Sequence, residues 1–378
     1  MTVLCSYFEA QRCRSCSDIR QPYIEQLLRK QADLQTHLAE WPDLTWLPPV
    51  ASAVTAFRSK AKMAVGGSIE SPTLGLVDAA GNAEDLAACL LYPATLSSAF
   101  APIKRFISAA RLAPYDVVSR RGELKFVLLT VADHSGELML RFVLRSREAL
   151  GRMQAMLPTL RAALPQLRVI SANLQPLPAA IVEGNEEIAL SAQQHLSIEL
   201  NGLPFFLRPR GFFQTNQTMA AALYRQARDW VTRAAPARIW DLFCGVGGLA
   251  VHCADGVREV HGIELSEEAI EGARMSASEL GLPRLTFEAR DAAALLSLPA
   301  LAGPDLVIVN PPRRGIGEAL CAELQASSLH WLIYSSCNAS TLAADLRRMP
   351  SFLPQQAQLL DMFPHTSHCE TLVLLERR

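Results

Sequence analysis

Hydrophobic and polar positions follow two patterns along the chain, and the change between them lies near residue 195. Before it, short apolar stretches with β-rich composition flank a helical pattern at residues 146–165. These stretches are GELKFVLLTVA, GELMLRFVLRS and LRVISANLQP. The pattern predicts an α+β unit with an antiparallel sheet over residues 98–187.

Beyond residue 228, buried strand patterns alternate with amphipathic helices. The predicted strands are ARIWDLFC, REVHGIEL, RLTFEAR, PDLVIVN, HWLIYSS and TLVLLER. This alternation is typical of a doubly wound α/β domain, in which ligands bind at the carboxyl ends of the strands.

Composition places the chain among ordinary globular proteins, since half of the residues are apolar and 19% are charged. The N-terminal residues show no secretory signal and no apolar run spans a membrane, so we expect a soluble cytoplasmic protein in a reducing compartment. The net charge of −1 does not indicate a nucleic-acid partner. Basic clusters are compatible with RNA contacts or with solvated faces: Arg58, Lys60 and Lys62; Lys104 and Arg105; Arg120 and Arg121; Arg208 and Arg210.

The first two strands of the α/β domain end in features of an adenosine-binding site. DLFCGVGGLA, residues 241–250, predicts a strand, a glycine turn and a helix, with Gly245 in the turn. Glu264 follows about 20 residues later, where a carboxylate can bind both ribose hydroxyls. A dinucleotide and S-adenosylmethionine both fit. The turn lacks the dinucleotide G-x-G-x-x-G spacing, and Asp241 suits the amino group of S-adenosylmethionine.

Polar residues also follow the third and fourth strands. Asp291 is placed to accept from an adenine amine or to cap the next helix. Asn310 precedes Pro311 and Pro312, which hold it at the rim of the site, although a simple proline turn explains the motif too. Amino-methyltransferases carry an aromatic residue after such a motif, whereas Arg313 stands here. Amine methylation is therefore the runner-up interpretation of the motif.

Cys337 follows the fifth strand and Glu370 precedes the last one. A lone cysteine is commonly a buried apolar residue, and a lone glutamate a surface charge. Together they form a thiol nucleophile and a carboxylate base.

Four further cysteines lie early in the chain: Cys5, Cys13, Cys16 and Cys89. Their thiolates suit zinc or an iron-sulfur cluster, and spacing alone does not choose between the two. The remaining cysteines are interpreted as packing residues: Cys244, Cys253, Cys321 and Cys369.

The motifs FFQTN, DLFCGVGG, NPPRRG, SSCN and HCE, in this order and spacing, resemble the RNA uracil-C5 methyltransferase family. The resemblance implies that Gln214, Phe243, Glu264 and Asn310 contact S-adenosylmethionine, that Cys337 is the nucleophile and that Glu370 is the base. The sequence departs from many members at two positions, with Asn310 in place of aspartate and Ala339 in place of proline.

The resemblance also implies a [4Fe-4S] cluster on the four early cysteines. A cluster without a leading OB-like domain is similar to a 23S rRNA branch of the family, so the expected partner is 23S rRNA, with neither a membrane nor an obligate protein partner. The expected product is 5-methyluridine in an RNA loop. The alternatives are tRNA uracil-C5 methylation and a non-catalytic iron-sulfur RNA-binding protein.

This interpretation predicts a Rossmann-like S-adenosylmethionine-dependent methyltransferase domain preceded by an iron-sulfur-containing α+β domain. Its regions are an iron-sulfur cluster region at 1–97, a central α+β RNA-recognition domain at 98–195 and the methyltransferase domain at 196–378.

Overall fold

The computed structural model describes residues 3–77, 83–178, 181–292 and 303–378. The strands in these residues are β1 (Thr45–Trp46), β2 (Lys60–Gly67), β3 (Pro72–Val77), β4 (Ala83–Asp85), β5 (Leu124–Val131), β6 (Leu138–Leu144), β7 (Leu167–Leu174), β8 (Glu186–Ala189), β9 (Leu196–Leu200), β10 (Leu203–Leu207), β11 (Arg238–Leu242), β12 (Glu259–Glu264), β13 (Leu285–Ala289), β14 (Leu306–Val309), β15 (Trp331–Ser336), β16 (Phe352–Leu360) and β17 (Glu370–Arg377). The helices are α1 (Ser6–Glu9), α2 (Tyr23–His37), α3 (Ala94–Ala109), α4 (Leu150–Ala163), α5 (Gln217–Ala234), α6 (Gly248–Cys253), α7 (Glu267–Glu279), α8 (Gly317–Ala326) and α9 (Ala339–Arg348).

The larger sheet has eight strands in the order β1-β16-β17-β15-β14-β11-β12-β13. Five neighbouring strands of this sheet are parallel: β15, β14, β11, β12 and β13. β17 runs antiparallel to both β15 and β16. The chain builds outward from β11 to β13 and then crosses to β14 and β15 on the other side. This reversal opens a crevice between β11 and β14, where doubly wound sheets bind ligands.

Helices cover both faces of this sheet, which confirms the predicted doubly wound domain. Apolar residues of α5, α6 and α7 share one core with Ile239. Residues of α8 and α9 share another core with Trp240 and Leu242. Alternate residues of β11 therefore enter opposite cores, as period-two side-chain alternation requires.

The smaller sheet has the order β4-β3-β2-β5-β6-β7-β8, and α3 and α4 share its core. The prediction of an antiparallel sheet is wrong at one position, because β6 and β7 pair in parallel. The helix α4 lies between them in sequence and makes the crossover that parallel neighbours require.

The described residues among the first 97 contribute strands to both sheets, and the domain boundaries remain a prediction. β1 pairs with β16 in the larger sheet, and β2 pairs with β5 in the smaller one. The helix α2 packs on the larger sheet, where Leu27 and Leu34 contact a core that includes Leu359. The hairpin β9–β10 begins at Leu196 and joins the core around α5 to α7.

Among the described residues, none of the helices combines the length and the apolar character that crossing a membrane requires.

Candidate active site

A cavity of about 710 Å³ opens at the carboxyl ends of the central strands. The structure brings eight predicted cofactor-binding and catalytic residues to its wall: Gln214, Phe243, Gly245, Glu264, Asp291, Asn310, Cys337 and Glu370. These residues come from six strand ends and one loop that are far apart in sequence. Their convergence follows from the doubly wound topology, which collects the ends of parallel strands at one edge.

The glycine turn after β11 forms the floor of the cavity. Gly247 adopts a φ of 80°, and a Cβ at this position would lie 2.7 Å from Cζ of Phe287. Only glycine fits both the backbone conformation and the space. The turn therefore allows α6 to begin directly beneath the ligand position.

Asp241 lies behind this turn and is not part of the cavity wall, although its position in the motif suited the cofactor's amino group. Its Oδ2 accepts a hydrogen bond of 2.9 Å from the backbone N–H of Ala250. Burial raises the pKa of the Asp241 carboxyl to about 8. The residue ties the end of β11 to α6 and so supports the turn.

Glu264 ends β12 with its carboxylate held by two backbone donors. Oε2 accepts from the N–H of Gly245 at 3.2 Å, and Oε1 accepts from the N–H of Ser266 at 3.0 Å. The side chain of Ser266 in turn caps α7. These contacts fix the carboxylate at the cavity edge, in the position expected for a ribose ligand.

Two loops complete the cofactor side of the cavity. Gln214 lies just before Asn216, whose side chain caps α5 by accepting from Met219 N at 3.2 Å. Asn310 follows β14, where its backbone N–H donates to Leu242 O at 3.3 Å. Asp291 lines the cavity, while the helix-cap alternative for it concerns residues 293–302, which are outside the described residues.

Cys337 and Glu370 lie at the same end of the β15–β17 ladder. The antiparallel register pairs Ser335 with Leu372 and Ser336 with Thr371. Cys337 comes directly after β15, Glu370 is the first residue of β17, and both line the same cavity. Neighbouring strands thus bring a thiol and a carboxylate together across 33 residues of sequence.

Both groups have perturbed acidities. Burial raises the pKa of Glu370 to about 7, and a hydrogen bond from Ser335 opposes the shift. Burial, followed by the charge of Glu370, raises the pKa of the Cys337 thiol, while Arg313 lowers it. A carboxyl with a pKa near neutral is suited to accept and release protons at physiological pH.

A second cavity of about 410 Å³ also has Cys337 in its wall. Lys30 and His37 of α2, His368 and the start of α9 line it, and Arg313 belongs to both cavities. Asn338 caps α9, which places Cys337 immediately before the helix. Sequence reasoning missed the contribution of α2, because nothing near residue 30 indicates contact with a strand 300 residues away.

Lys30 is a buried cation at the base of this second cavity. Its ammonium donates to Asp361 at 2.6 Å and to Phe363 O at 3.0 Å. This pair links α2 to the segment after β16. Because the pair is fully buried, removing one partner alone leaves an uncompensated charge.

The four early cysteines converge, although three of them lie about 75 residues before the fourth. They line one small, mostly apolar pocket of about 20 Å³ with Tyr7 and Phe8. The three neighbouring thiols add to burial in raising the pKa of Cys16 to about 12. Within the described parts of the chain, no three His, Cys, Asp or Glu side chains have the arrangement of a metal-ion site.

The other cysteines occupy different environments. Cys253 and Cys321 are buried in the cores, as expected for packing residues. Cys244 lies in the wall of the cofactor-side cavity and Cys369 in that of the second cavity.

The basic clusters are partly neutralised by neighbours. Lys104 pairs with Asp85 and Arg208 pairs with Glu271. Arg210 lines the cofactor-side cavity and donates to Asn185 O at 3.2 Å.

Comparison with known proteins agrees with this geometry. A family model described as a methyltransferase domain matches residues 235–346. The 23S rRNA (uracil(747)-C(5))-methyltransferase RlmC of Shigella boydii serotype 4 (strain Sb227) is 49% identical over 374 residues, which cover 99% of this chain and 100% of that protein. RlmC of Salmonella newport (strain SL254) is 50% identical over 373 residues, 99% of each chain.

One solved structure shares the whole architecture. The tRNA (uracil-54, C5)-methyltransferase of Pyrococcus abyssi, in complex with S-adenosyl-L-homocysteine, superimposes with a TM-score of 0.80. The match covers 95% of this chain and 85% of that chain at 23% identity, so it shows a common fold.

The family model and the curated relatives together identify a methyltransferase. The near full-length identity goes further: the chain belongs to the RlmC family of 23S rRNA uracil-C5 methyltransferases.

Proposed function

We propose that this protein transfers a methyl group from S-adenosylmethionine to C5 of a loop uridine in 23S rRNA, giving 5-methyluridine. The uridine named in its RlmC relatives, 747, is the proposed target. A cytoplasmic location and the absence of an obligate protein partner remain predictions. The observation that carries the proposal is that Cys337 and Glu370 interact and line one cavity that suits the methyl donor.

The chemistry explains why a thiol and a carboxylate are required. Uracil C5 is too weak a nucleophile to attack the sulfonium methyl group unaided. Addition of the Cys337 thiolate to C6 converts the ring into an enolate whose C5 takes the methyl group. Glu370 then removes the C5 proton, the C5=C6 bond re-forms and the thiolate is expelled.

The two cavities suggest how the substrates meet. The cofactor lies on the side of Gln214, Glu264 and Asn310, and Cys337 belongs to both cavities. The target base enters from the second cavity, and its C6 atom then lies next to the thiol of Cys337. A base buried this deeply must leave its stack, which favours an unpaired uridine.

Cys5, Cys13, Cys16 and Cys89 are proposed to hold a [4Fe-4S] cluster. Their convergence in one small apolar pocket supports the fit. Four convergent thiolates suit either zinc or an iron-sulfur cluster, and the family resemblance favours the cluster. When bound it crosslinks the N-terminal segment to the loop after β4.

The proposal is tested by methyl transfer from labelled S-adenosylmethionine to unmodified 23S rRNA and, separately, to unmodified tRNA. The expected result is 5-methyluridine in 23S rRNA alone. Label in tRNA would favour the tRNA activity, and cofactor binding with no label in either RNA would favour the non-catalytic alternative.

A further inference from the structure

We propose that Ser335 is a positioning residue for Glu370, holding one carboxylate oxygen so that the other faces the target base. The inference deepens the proposed function and rests on it. No motif singled out this serine, which lies two residues before the nucleophile.

The contact is short and lies inside the sheet. The hydroxyl of Ser335 donates to Oε1 of Glu370 at 2.6 Å. Ser335 is fully buried and Glu370 is 3% exposed. Since Ser335 pairs with Leu372, Glu370 is its diagonal neighbour on the same face. The ladder fixes both backbones, so the geometry does not depend on a loop.

The two oxygens of Glu370 have different surroundings. In the described residues, Ser335 is the hydrogen-bond partner of the Glu370 side chain, through Oε1. Glu370 also lines the cavity shared with Cys337, so Oε2 is left to meet the substrate. The neighbouring Ser336 points to the opposite face and bonds instead to the backbone of Asn338.

The hydroxyl stabilises the ionised base. A hydrogen bond to a carboxylate favours the charged form and therefore opposes the effect of burial. The titratable groups that interact with Glu370 are Cys337 just after β15, Cys369 beside it and Tyr224 from α5. These neighbours are acids, and their negative charge when ionised disfavours the charged form of Glu370. The cation Arg313 interacts with Cys337.

The step itself is balanced within the site. Oε2 accepts the C5 proton, the C5–H electron pair becomes the C5=C6 bond, and the C6–Sγ pair returns to Cys337 as a thiolate. Ser335 keeps its own proton throughout. Its role is to hold the acceptor in the ionised form and in one orientation.

A matched pair of variants separates the hydroxyl from packing. Ser335→Thr and Ser335→Val introduce side chains of the same shape, with and without the hydroxyl. Single-turnover methyl transfer to 23S rRNA is measured against pH, together with the covalent RNA adduct and S-adenosylmethionine affinity. We expect the valine variant to accumulate adduct and to shift the acidic limb of the profile upward by about one pH unit. The threonine variant should resemble the wild type, and both should bind the cofactor equally.

A second readout needs no RNA. The ¹³C resonance of the Glu370 carboxyl, assigned by its loss in Glu370→Gln, should titrate at higher pH in the valine variant than in the threonine variant. Identical titrations and profiles for the two variants would overturn the inference. A wild-type protein that does not methylate 23S rRNA would instead overturn the proposed function, whatever the titration shows.

Discussion

The backbone N–H of Gly245 donates a 3.2 Å hydrogen bond to Oε2 of Glu264. This contact joins the glycine turn after β11 to the end of β12, the two features that indicated an adenosine ligand. Both are therefore parts of one wall, and the turn holds the Glu264 carboxylate, the proposed ribose ligand, in one orientation.

Replacing Glu264 by alanine should weaken S-adenosylmethionine binding. Losing the hydrogen bonds between the carboxylate and the ribose should cost about 1.5–3 kcal/mol of binding free energy, which raises Kd roughly 10- to 100-fold. Isothermal titration calorimetry measures the change. Cys337→Ala serves as the control and should bind the cofactor as the wild type does. Equal affinity in Glu264→Ala would contradict the assignment.

Gly247→Ala should destabilise the fold, because its φ of 80° and the 2.7 Å approach to Phe287 leave no room for a Cβ. We expect a loss of about 1–3 kcal/mol in denaturant unfolding. Gly151→Ala is the matched control, since nothing lies within 4 Å of its Cβ position in the exposed part of α4. That change should stabilise the protein by about 0.5–1 kcal/mol. The reverse order would contradict the packing described for the turn.

Glu370→Gln should stabilise the protein at pH 8. The pKa of Glu370 is about 7 in the folded state, above the usual value of 4.5. The folded state thus retains a proton that the unfolded state releases, and stability falls as pH rises from about 4.5 to 7. Glutamine removes this penalty, which is up to about 3 kcal/mol. Thermal unfolding at pH 8 and pH 4 should show the gain only at pH 8, and a gain of equal size at both would contradict the cause.

Cys89→Ser should lower the iron content and the visible absorbance of anaerobically purified protein, because Cys89 brings a distant loop to the pocket of Cys5, Cys13 and Cys16. Cys321→Ala, in the core of α8, is the control and should keep both signals. Iron-free wild-type protein with bound zinc would contradict the cluster.

Local pattern predicted the strands of the α/β domain and the residues at their ends. The predicted strands β11, β14, β15 and β17 are buried on both faces, which produces continuous apolar runs. β16 was missed because Pro354 and its glutamines at 355, 356 and 358 break that pattern. It is nevertheless a strand because β17 and β1 pair with it on both sides.

The features that sequence did not predict depend on contacts between distant segments. The parallel pairing of β6 with β7, the split of residues 1–97 between two sheets and the contact of α2 with the second cavity are all set by tertiary packing. Ser335 belongs with them, because its role depends on the register of β15 against β17.

The most direct test of the central claim is whether Cys337 and Glu370 act in sequence on one RNA adduct. Glu370→Gln is incubated with labelled S-adenosylmethionine and unmodified 23S rRNA, then analysed under denaturing conditions. We expect a stable protein–RNA complex that carries the methyl label on the target uracil. Cys337→Ala and the double variant should form none. Wild-type turnover by Glu370→Gln, or a covalent complex with Cys337→Ala, would contradict the account.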